Sequence, residues 1–463
     1  MLKVRLSRLA ALCLTSAAMA LSSCNNTVSQ GETAAETRVP RNVIVFVADG
    51  MGVSTVTAAR IFDGQQQGLD GESHQLHFET FDDVALVKTY NANAQVPDSA
   101  GTATALFSGY KANIGTLNVP PRDADLPGMV QDSCKGAADG MPPTLLERAR
   151  SVDKSVGIVS TARLTHATPA AVFSRAVDRG LESDDRFPAE LVAIGCKSIA
   201  QQLVDARMEV ALGGGGRGIT DANIDGFPGS VVRDANEMDA LDTDGPVLGL
   251  FSASHMAYEA DRSGTEQPSL AEMTRFAIER MDSDPDGYVL MVEAGRVDHA
   301  HHGTNAYRAL TDMQAFNDAI RLATETASDD TLIVVTADHS HVFVMQGYPV
   351  RGNPILGLVR SGEIIRETMS TEISVATDDE GRPYTTLGYY NGPDTRAASE
   401  GILTDAIVSK PDFRQQTAIP LGSETHAGED VPLYATGPGS DAFGGVMDQD
   451  EVGRAIIAAV EGR

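Results

Sequence analysis

Continuous apolar runs recur along the chain, each closing on glycine, alanine or an acid. RNVIVFVADGMG, starting at position 41, is the first; SVGIVSTA (155–162), EVALGG (209–214), GYVLMVEAG (287–295) and TLIVVTAD (331–338) follow. A strand with one wet face alternates apolar and polar residues. These runs do not alternate, which is the pattern of strands buried on both faces. Between them, PPTLLERARSV (142–152), SLAEMTRFAIERM (269–281) and NAYRALTDMQAFNDAIRLATETA (305–327) repeat apolar residues at helical spacing. The alternation predicts an α/β fold, a mostly parallel central sheet with helices on both faces. Residues 346–424 break the rhythm with Gly, Pro, Thr and charge and short β-like pieces such as PYTTLGYY (383–390), the composition of a subdomain inserted into the core. The chain then returns with ETHAGEDVPLYATG. No internal repeat is found, and no membrane-spanning run follows the N-terminal segment.

That N-terminal segment is of another kind. Lys3, Arg5 and Arg8 precede LAALCLTSAAMAL, and LSSC follows, so residues 1–23 read as an export signal, too short in its apolar part for a membrane span. The ending resembles a bacterial lipobox, in which cleavage leaves Cys24 as a lipidated N-terminus; an ordinary cleaved signal with an incidental cysteine is the alternative. Residues 24–40 are polar and read as a tether, with the folded body over 41–462. The expected location is the periplasm or cell surface, with membrane contact through the N-terminal lipid only.

At 463 residues, 42% hydrophobic and 22% charged, the chain can bury a core without staples. Its formal charge is −28, and loss of Lys3, Arg5 and Arg8 with the signal makes it −28 − 3 = −31, so specific nucleic-acid binding is not expected. Cys13 leaves with the signal. Cys134 and Cys196 remain, and in an exported chain two spare cysteines most simply pair, the other reading being two buried thiols. The bridge would close a loop of about 62 residues and contribute about 4 kcal/mol on a chain-entropy account.

Candidate chemistry collects where the apolar runs stop. Asp49, Glu293 and Asp338 each close one, and in open α/β sheets ligands sit beyond the carboxyl ends of the strands. Singly, each acid also reads as a helix cap. In EAGRVDHAHH, Asp298 and His302 stand four apart, on one helical face. Asp338 and His339 are adjacent, and His426 sits in THAGED. Carboxylates with imidazoles suit zinc, and carboxylates with hydroxyls suit magnesium. The ligands exceed four, so more than one metal is expected. In VPDSAGTATALFSGYKAN (96–113), Ser99 is expected at a helix N-terminus, where N–H groups favour an anion and a neighbouring cation can turn the hydroxyl into a nucleophile; a plain helix cap is the alternative. GGGGRG (213–218) matches a dinucleotide fingerprint formally, but ITDANIDGFPG after it makes a poor helix, so it reads as a loop. No G-x-S-x-G, H-E-x-x-H or G-x-x-x-x-G-K-[ST] is present.

Taken in order, VADGMG, PDSAGTATA, THATPA with Arg179 downstream, VEAGRVDHAHH, TADHSH and ETHAGED resemble the alkaline phosphatase family over nearly all of residues 41–462. The resemblance implies that family's three-layer fold, two zinc ions and one magnesium per subunit, and hydrolysis of varied small phosphate monoesters through a phosphoserine at alkaline pH. It implies Asp298, His302 and His426 as the first zinc's ligands, and Asp49, Asp338 and His339 as the second's, next to the nucleophile Ser99. Asp49 with Thr168 and Glu293 would hold magnesium, and Arg179 would clamp phosphate. His166 and His299, near the site, resemble the animal-type branch, as do the disulfide Cys134–Cys196 and a crown-like insertion at about 346–424 that in that branch packs at a homodimer interface. Ser252 and Gln267 stand where the animal enzymes carry acids of an additional calcium site, which argues against that site. A diesterase or sulfatase of the same superfamily usually has another nucleophile, and a non-catalytic metal-stabilised lipoprotein would not need Ser99 and Arg179.

Overall fold

The computed structural model describes residues 39–121, 141–193, 195–365, 370–393 and 402–463. The segments read as export signal and anchor, including Cys24, lie outside the described residues apart from Val39 and Pro40, and so does Cys134. Cys196 is buried and disulfide-bonded.

The first apolar run forms β1 (Asn42–Ala48), buried at every position. In chain order there follow β2 (Asp83–Lys88), β3 (Ser155–Arg163), β4 (Val210–Gly214), β5 (Ser230–Val232), β6 (Val247–Leu250), β7 (Tyr288–Ala294) and β8 (Thr331–Thr336). Two later strands, β16 and β17, complete a ten-stranded sheet in the order β17-β2-β16-β8-β1-β7-β3-β4-β6-β5. Between β8 and β16 (Val431–Thr436) lie β9 (Ser340–His341), β10 (Phe343–Met345), β11 (Arg360–Ile365), β12 (Ser370–Val375), β13 (Leu387–Gly392), β14 (Thr417–Pro420) and β15 (His426–Ala427), and β17 is Gly445–Asp448. Every pairing in the large sheet is parallel except the two made by β16. The expected α/β architecture is observed.

Register decides what this sheet can do. Val47 of β1 pairs with Glu293 of β7 on one side and Thr336 of β8 on the other, and Ser160 of β3 pairs with Glu293. Side chains two apart on a strand share a face, so Asp49 and Asp338, each two residues past that level, leave the sheet side by side. The antiparallel β16 pairs Leu433 with Thr336, so the loop preceding it, with His426, enters from the same edge. β2 runs antiparallel to β16, and its end therefore launches the segment leading to Ser99 toward that edge too.

Apolar residues on the helix Ala306–Thr326 pack against the sheet: Phe316 meets Phe46 edge-on at 5.9 Å and Phe78 at 6.2 Å. The helix Gln449–Glu461 crosses the helix Ser99–Ser108 so closely that a Cβ on Gly453 would fall 2.0 Å from the Ala105 carbonyl oxygen. Only glycine fits there. Its partner helix is thereby fixed in position along with Ser99.

The apolar runs mark five of the ten strands. β2, DVALVK, keeps half its residues toward solvent, while β5 and β6 are three and four residues long, too short for a periodic signal. The GGGGRG stretch ends β4 and turns. Gly215 donates its N–H to the carbonyls of Ser252 and Ser254 at 3.0 and 2.7 Å, and a Cβ at Gly214 would meet the Ser254 oxygen at 2.1 Å. Its glycines serve this backbone approach; the helix after it, Asp221–Asp225, is five residues long. Within 346–424, β13 and β14 extend a three-stranded sheet from β10, β11 and β12 make a hairpin, and Leu358, Leu403 and Val408 form a small separate core. Among the described residues no helix is long and apolar enough to cross a membrane.

One acid lies on the buried face of the long helix. Asp312 accepts a hydrogen bond from the Glu259 N–H at 3.1 Å, and burial pushes its carboxyl up to about 8. In the unfolded chain it titrates near about 3.9, so across that window the folded state holds a proton the unfolded state lacks, and stability falls as pH rises. Asp312→Asn keeps the acceptor and removes the titration. Thermal melts should show the variant more stable than wild type at pH 9 and no more stable at pH 5; parallel pH dependences would refute this account.

Candidate active site

At the carboxyl edge of the sheet, the chain turns sharply after β1. Gly50 has φ +79°, and a Cβ there would strike the His341 ring at 2.5 Å, so the turn that carries Asp49 inward requires glycine. Asp49, Glu293, Asp338 and His339 are all fully buried. Asp338 Oδ1 accepts from the backbone N–H groups of Gly50 at 3.1 Å and His339 at 2.9 Å, which leaves Oδ2 turned to the pocket. His339 Nε2 lies 3.3 Å from Asp49 Oδ1, 3.4 Å from Asp338 Oδ2 and 3.1 Å from Ser99 Oγ.

A second group adjoins it. On the helix Arg296–His302, Asp298 and His302 share a face as their spacing predicts, with Asp298 Oδ1 3.4 Å from His302 Nε2. His426 arrives from β15, its Nε2 3.4 Å from the same oxygen and 3.2 Å from His302 Nε2. Its other nitrogen, Nδ1, is held by the Pro97 carbonyl at 2.8 Å.

A third group is all oxygen. Ser160 donates its hydroxyl to Glu293 Oε2. Glu293 Oε1, the Thr168 hydroxyl and both Asp49 oxygens are buried with no hydrogen-bond partner. Orphaned buried oxygens are costly unless something else satisfies them. Asp49, Asp338 and His339, and separately Asp49, Glu293 and His166, have ligand atoms close enough together to hold a cation.

The charge state reflects the crowding. Burial, then repulsion from Asp298, Asp338 and Glu293, holds Asp49 well above the usual carboxylate range. Burial pushes Glu293 up to about 7 and raises Asp338. Burial would also raise Asp298, but His302, His341 and His426 around it outweigh that and bring it well below the usual range. Burial lowers His339 and His166 strongly and His299 to about 4, so these imidazoles are neutral at physiological pH, the form that binds metals.

Ser99 is the first residue of its helix, and Asp98 is the N-cap, accepting from Gly101 N–H at 3.1 Å. The same carboxylate receives Arg179 Nη1 at 3.3 Å, while Arg179 Nη2 donates to His166 Nε2 at 3.0 Å. Arg179 is thus held beside the helix N-terminus from two sides. Rings of His166 and His299 stand 5.5 Å apart, with His255 between their neighbours at 4.0 Å from His299.

Every residue singled out for metal binding or catalysis is brought to this one edge. The sequence reading passed over His341, Glu424, Asp98, His255 and His301. His341 Nε2 lies 2.8 Å from Asp298 Oδ1, and its Nδ1 lies 2.6 Å from Glu424 Oε2. Both were within reach of the sequence: His341 sits two residues past His339 in TADHSH, and Glu424 two before His426 in ETHAGED. Buried His301 is spent on Thr55 at 3.1 Å and the Tyr389 hydroxyl at 2.8 Å.

A family model described as alkaline phosphatase matches residues 40–461. The chain is 39% identical over 458 residues to the tissue-nonspecific isozyme of alkaline phosphatase from Gallus gallus, covering 91% of this chain and 84% of that protein. To the Homo sapiens isozyme it is 38% identical over 453 residues, covering 90% and 83%. Among solved structures it is similar to alkaline phosphatase from Thermus thermophilus, with a TM-score of 0.65, 25% identity and 92% of each chain covered.

Removing divalent cations leaves the buried carboxylates uncompensated. Dialysis of the purified protein against EDTA should lower Tm by several degrees or more, and zinc with magnesium should restore it. An unchanged melt after complete chelation would show that these oxygens hold no cation.

Proposed function

This chain belongs to the alkaline phosphatase family and is a metal-dependent hydrolase of phosphate monoesters; on that premise, we propose that Ser99 is its nucleophile, at a site holding two zinc ions and one magnesium. The observation that carries the reading is the spacing of ligand atoms. A tetrahedral zinc with bonds of about 2.0 to 2.1 Å has ligand atoms about 3.3 Å apart. Asp298 Oδ1, His302 Nε2 and His426 Nε2 form a triangle with sides of 3.2, 3.4 and 3.4 Å. His339 Nε2 lies 3.3, 3.4 and 3.1 Å from Asp49 Oδ1, Asp338 Oδ2 and Ser99 Oγ. The unpartnered oxygens of Asp49, Glu293 and Thr168 make a hard donor set, which suits magnesium, with the unpartnered His166 Nδ1 beside it.

When bound, such a metal pair acidifies hydroxyl groups and stabilises charge on the attacking and departing oxygens of an in-line displacement. Ser99 Oγ, at a helix N-terminus, forms the bond to phosphorus as the alcohol oxygen leaves. Water then cleaves the phosphoserine to release phosphate and regenerate the hydroxyl. His339 is read as a ligand and not as a general base, because its Nε2 is nearly as close to two carboxylates as to Ser99. Arg179 offers parallel N–H groups to two non-bridging oxygens, and Asp98 and His166 keep its fork aimed. A monoester has three non-bridging oxygens, so it can meet both N–H groups and still turn one toward the cation site; a diester has only two. His299 lies on the rim beside His166.

The reading extends to the rest of the chain. Residues 1–23 act as an export signal, Cys24 carries lipid, and residues 24–40 tether the catalytic body to a periplasmic or cell-surface membrane. Cys196 pairs with Cys134. Residues 346–424 form a crown-like insertion that packs against a second copy, and Tyr348, Tyr390 and Ile402, 91%, 60% and 76% exposed, support an apolar meeting surface.

Ser99→Ala should lower kcat/KM for an aryl phosphate monoester about 10³-fold or more with an unchanged melt, and acid-quenched wild type should carry phosphate at Ser99. Arg179→Ala should shrink the preference for the monoester over the matching diester. Intact hydrolysis in Ser99→Ala would remove the proposed nucleophile.

A further inference from the structure

Glu424 is 1% exposed and lies where residues 346–424 rejoin the body of the fold. Its polar groups are all engaged, and nearly all on one side of the metal cluster. The carbonyl oxygen lies 2.7 Å from His302 Nδ1, and the N–H donates to the His302 carbonyl at 3.2 Å. Oε1 accepts from Val342 N–H at 2.8 Å, and Oε2 lies 2.6 Å from His341 Nδ1. His341 Nε2 continues to Asp298 Oδ1 at 2.8 Å.

The chemistry of these contacts has one direction. A carbonyl oxygen can only accept, so His302 donates from Nδ1 and presents its other nitrogen, Nε2, to Asp298 and His426. The carboxylate at the far side of His341 holds its Nδ1, and so orients the ring whose Nε2 lies against the very Asp298 oxygen that faces His302 and His426. One residue therefore orients one ligand through its backbone and another through its side chain. The strand β13 ends against it as well: a Cβ on Gly392 would lie 3.2 Å from Glu424 Cβ.

We propose that Glu424 is the positioning residue of the first zinc site, fixing His302 through its carbonyl and Asp298 through His341, and so tying zinc affinity there to the seating of the inserted segment. This rests on the reading of Asp298, His302 and His426 as that site's ligands. Partners of this kind are worth 10- to 100-fold, roughly, in metal affinity. Among the described residues the second site, built on Asp49, Asp338 and His339, makes no hydrogen bond or ion pair with Glu424, and should not share the effect.

The test is a zinc competition on the full-length holoenzyme. Wild type, Glu424→Ala, Glu424→Gln and His302→Ala, all loaded with zinc and magnesium, are titrated with a chromogenic chelator while zinc per chain is counted by elemental analysis. In Glu424→Ala one zinc should weaken about 10- to 100-fold, and the other should keep the affinity of the single zinc left in His302→Ala. Glu424→Gln, which retains a hydrogen-bonding group toward His341, should recover much of the loss. Excess zinc should restore kcat/KM in both variants. Two zinc ions held with wild-type affinity in Glu424→Ala, or both weakened equally, would overturn the proposal; if the alanine variant does not fold, the same criteria apply to Glu424→Gln. A wild-type chain that binds fewer than two zinc ions would instead refute the zinc reading beneath it.

Discussion

Three carboxyl groups buried together with no cationic side chain bonded to them are the constraint on which the site depends. The register of β7, β1 and β8 sets Glu293 beside Val47 and carries Asp49 and Asp338 out side by side two residues further on. No lysine lies among them, and Arg179 is engaged with Asp98 and His166. A pocket so arranged is unfavourable for the folded chain by itself. Cations reverse the sign, and the buried, neutral imidazole of His339 is already in the form that can bind them. The fold invests stability in order to hold a metal-binding geometry ready before any metal arrives.

Strand direction supplies the remainder. A wholly parallel sheet delivers groups to its carboxyl edge only from the loops that follow its strands. Here one reversed strand, β16, brings in the loop that precedes it, and His426 with it, while β2 on its far side delivers the segment that begins the Ser99 helix. Three parts of the sequence more than a hundred residues apart therefore converge without a long connecting loop. The C-terminal helix locks the arrangement: Gly453 lets it lie against the Ser99 helix, and Gln449 Nε2 donates to the Asp338 carbonyl at 2.7 Å.

The parts of the molecule legible in the sequence are those whose physics is local. A strand buried on both faces writes an unbroken apolar run, and β1, β3, β4, β7 and β8 could be read that way. Asp298 and His302 declared themselves by helical spacing, and Ser99 by the small residues after it. Strands toward the two ends of the sheet escaped because β2 is half wet and β5 is three residues long, and such segments lack the redundancy that periodicity needs. His341 and Glu424 escaped for a different reason. Each lies beside a residue already chosen as a ligand, but their link runs across 83 positions and exists only once β9 pairs with β15. A role defined by a long-range hydrogen bond leaves no local signature, whereas a role defined by side-chain type at a strand end does.

Asp98 caps the start of the Ser99 helix and holds Arg179 with one carboxylate. The start of the helix and the grip on an anion are in consequence mechanically the same object. Fraying of that first turn would release the guanidinium at the moment it displaced the serine hydroxyl, so the two cannot drift apart one at a time. On the proposed roles of Ser99 and Arg179, heat or denaturant acting on this turn would remove capture and attack together, silencing the enzyme whole instead of leaving it to bind phosphate it could not process.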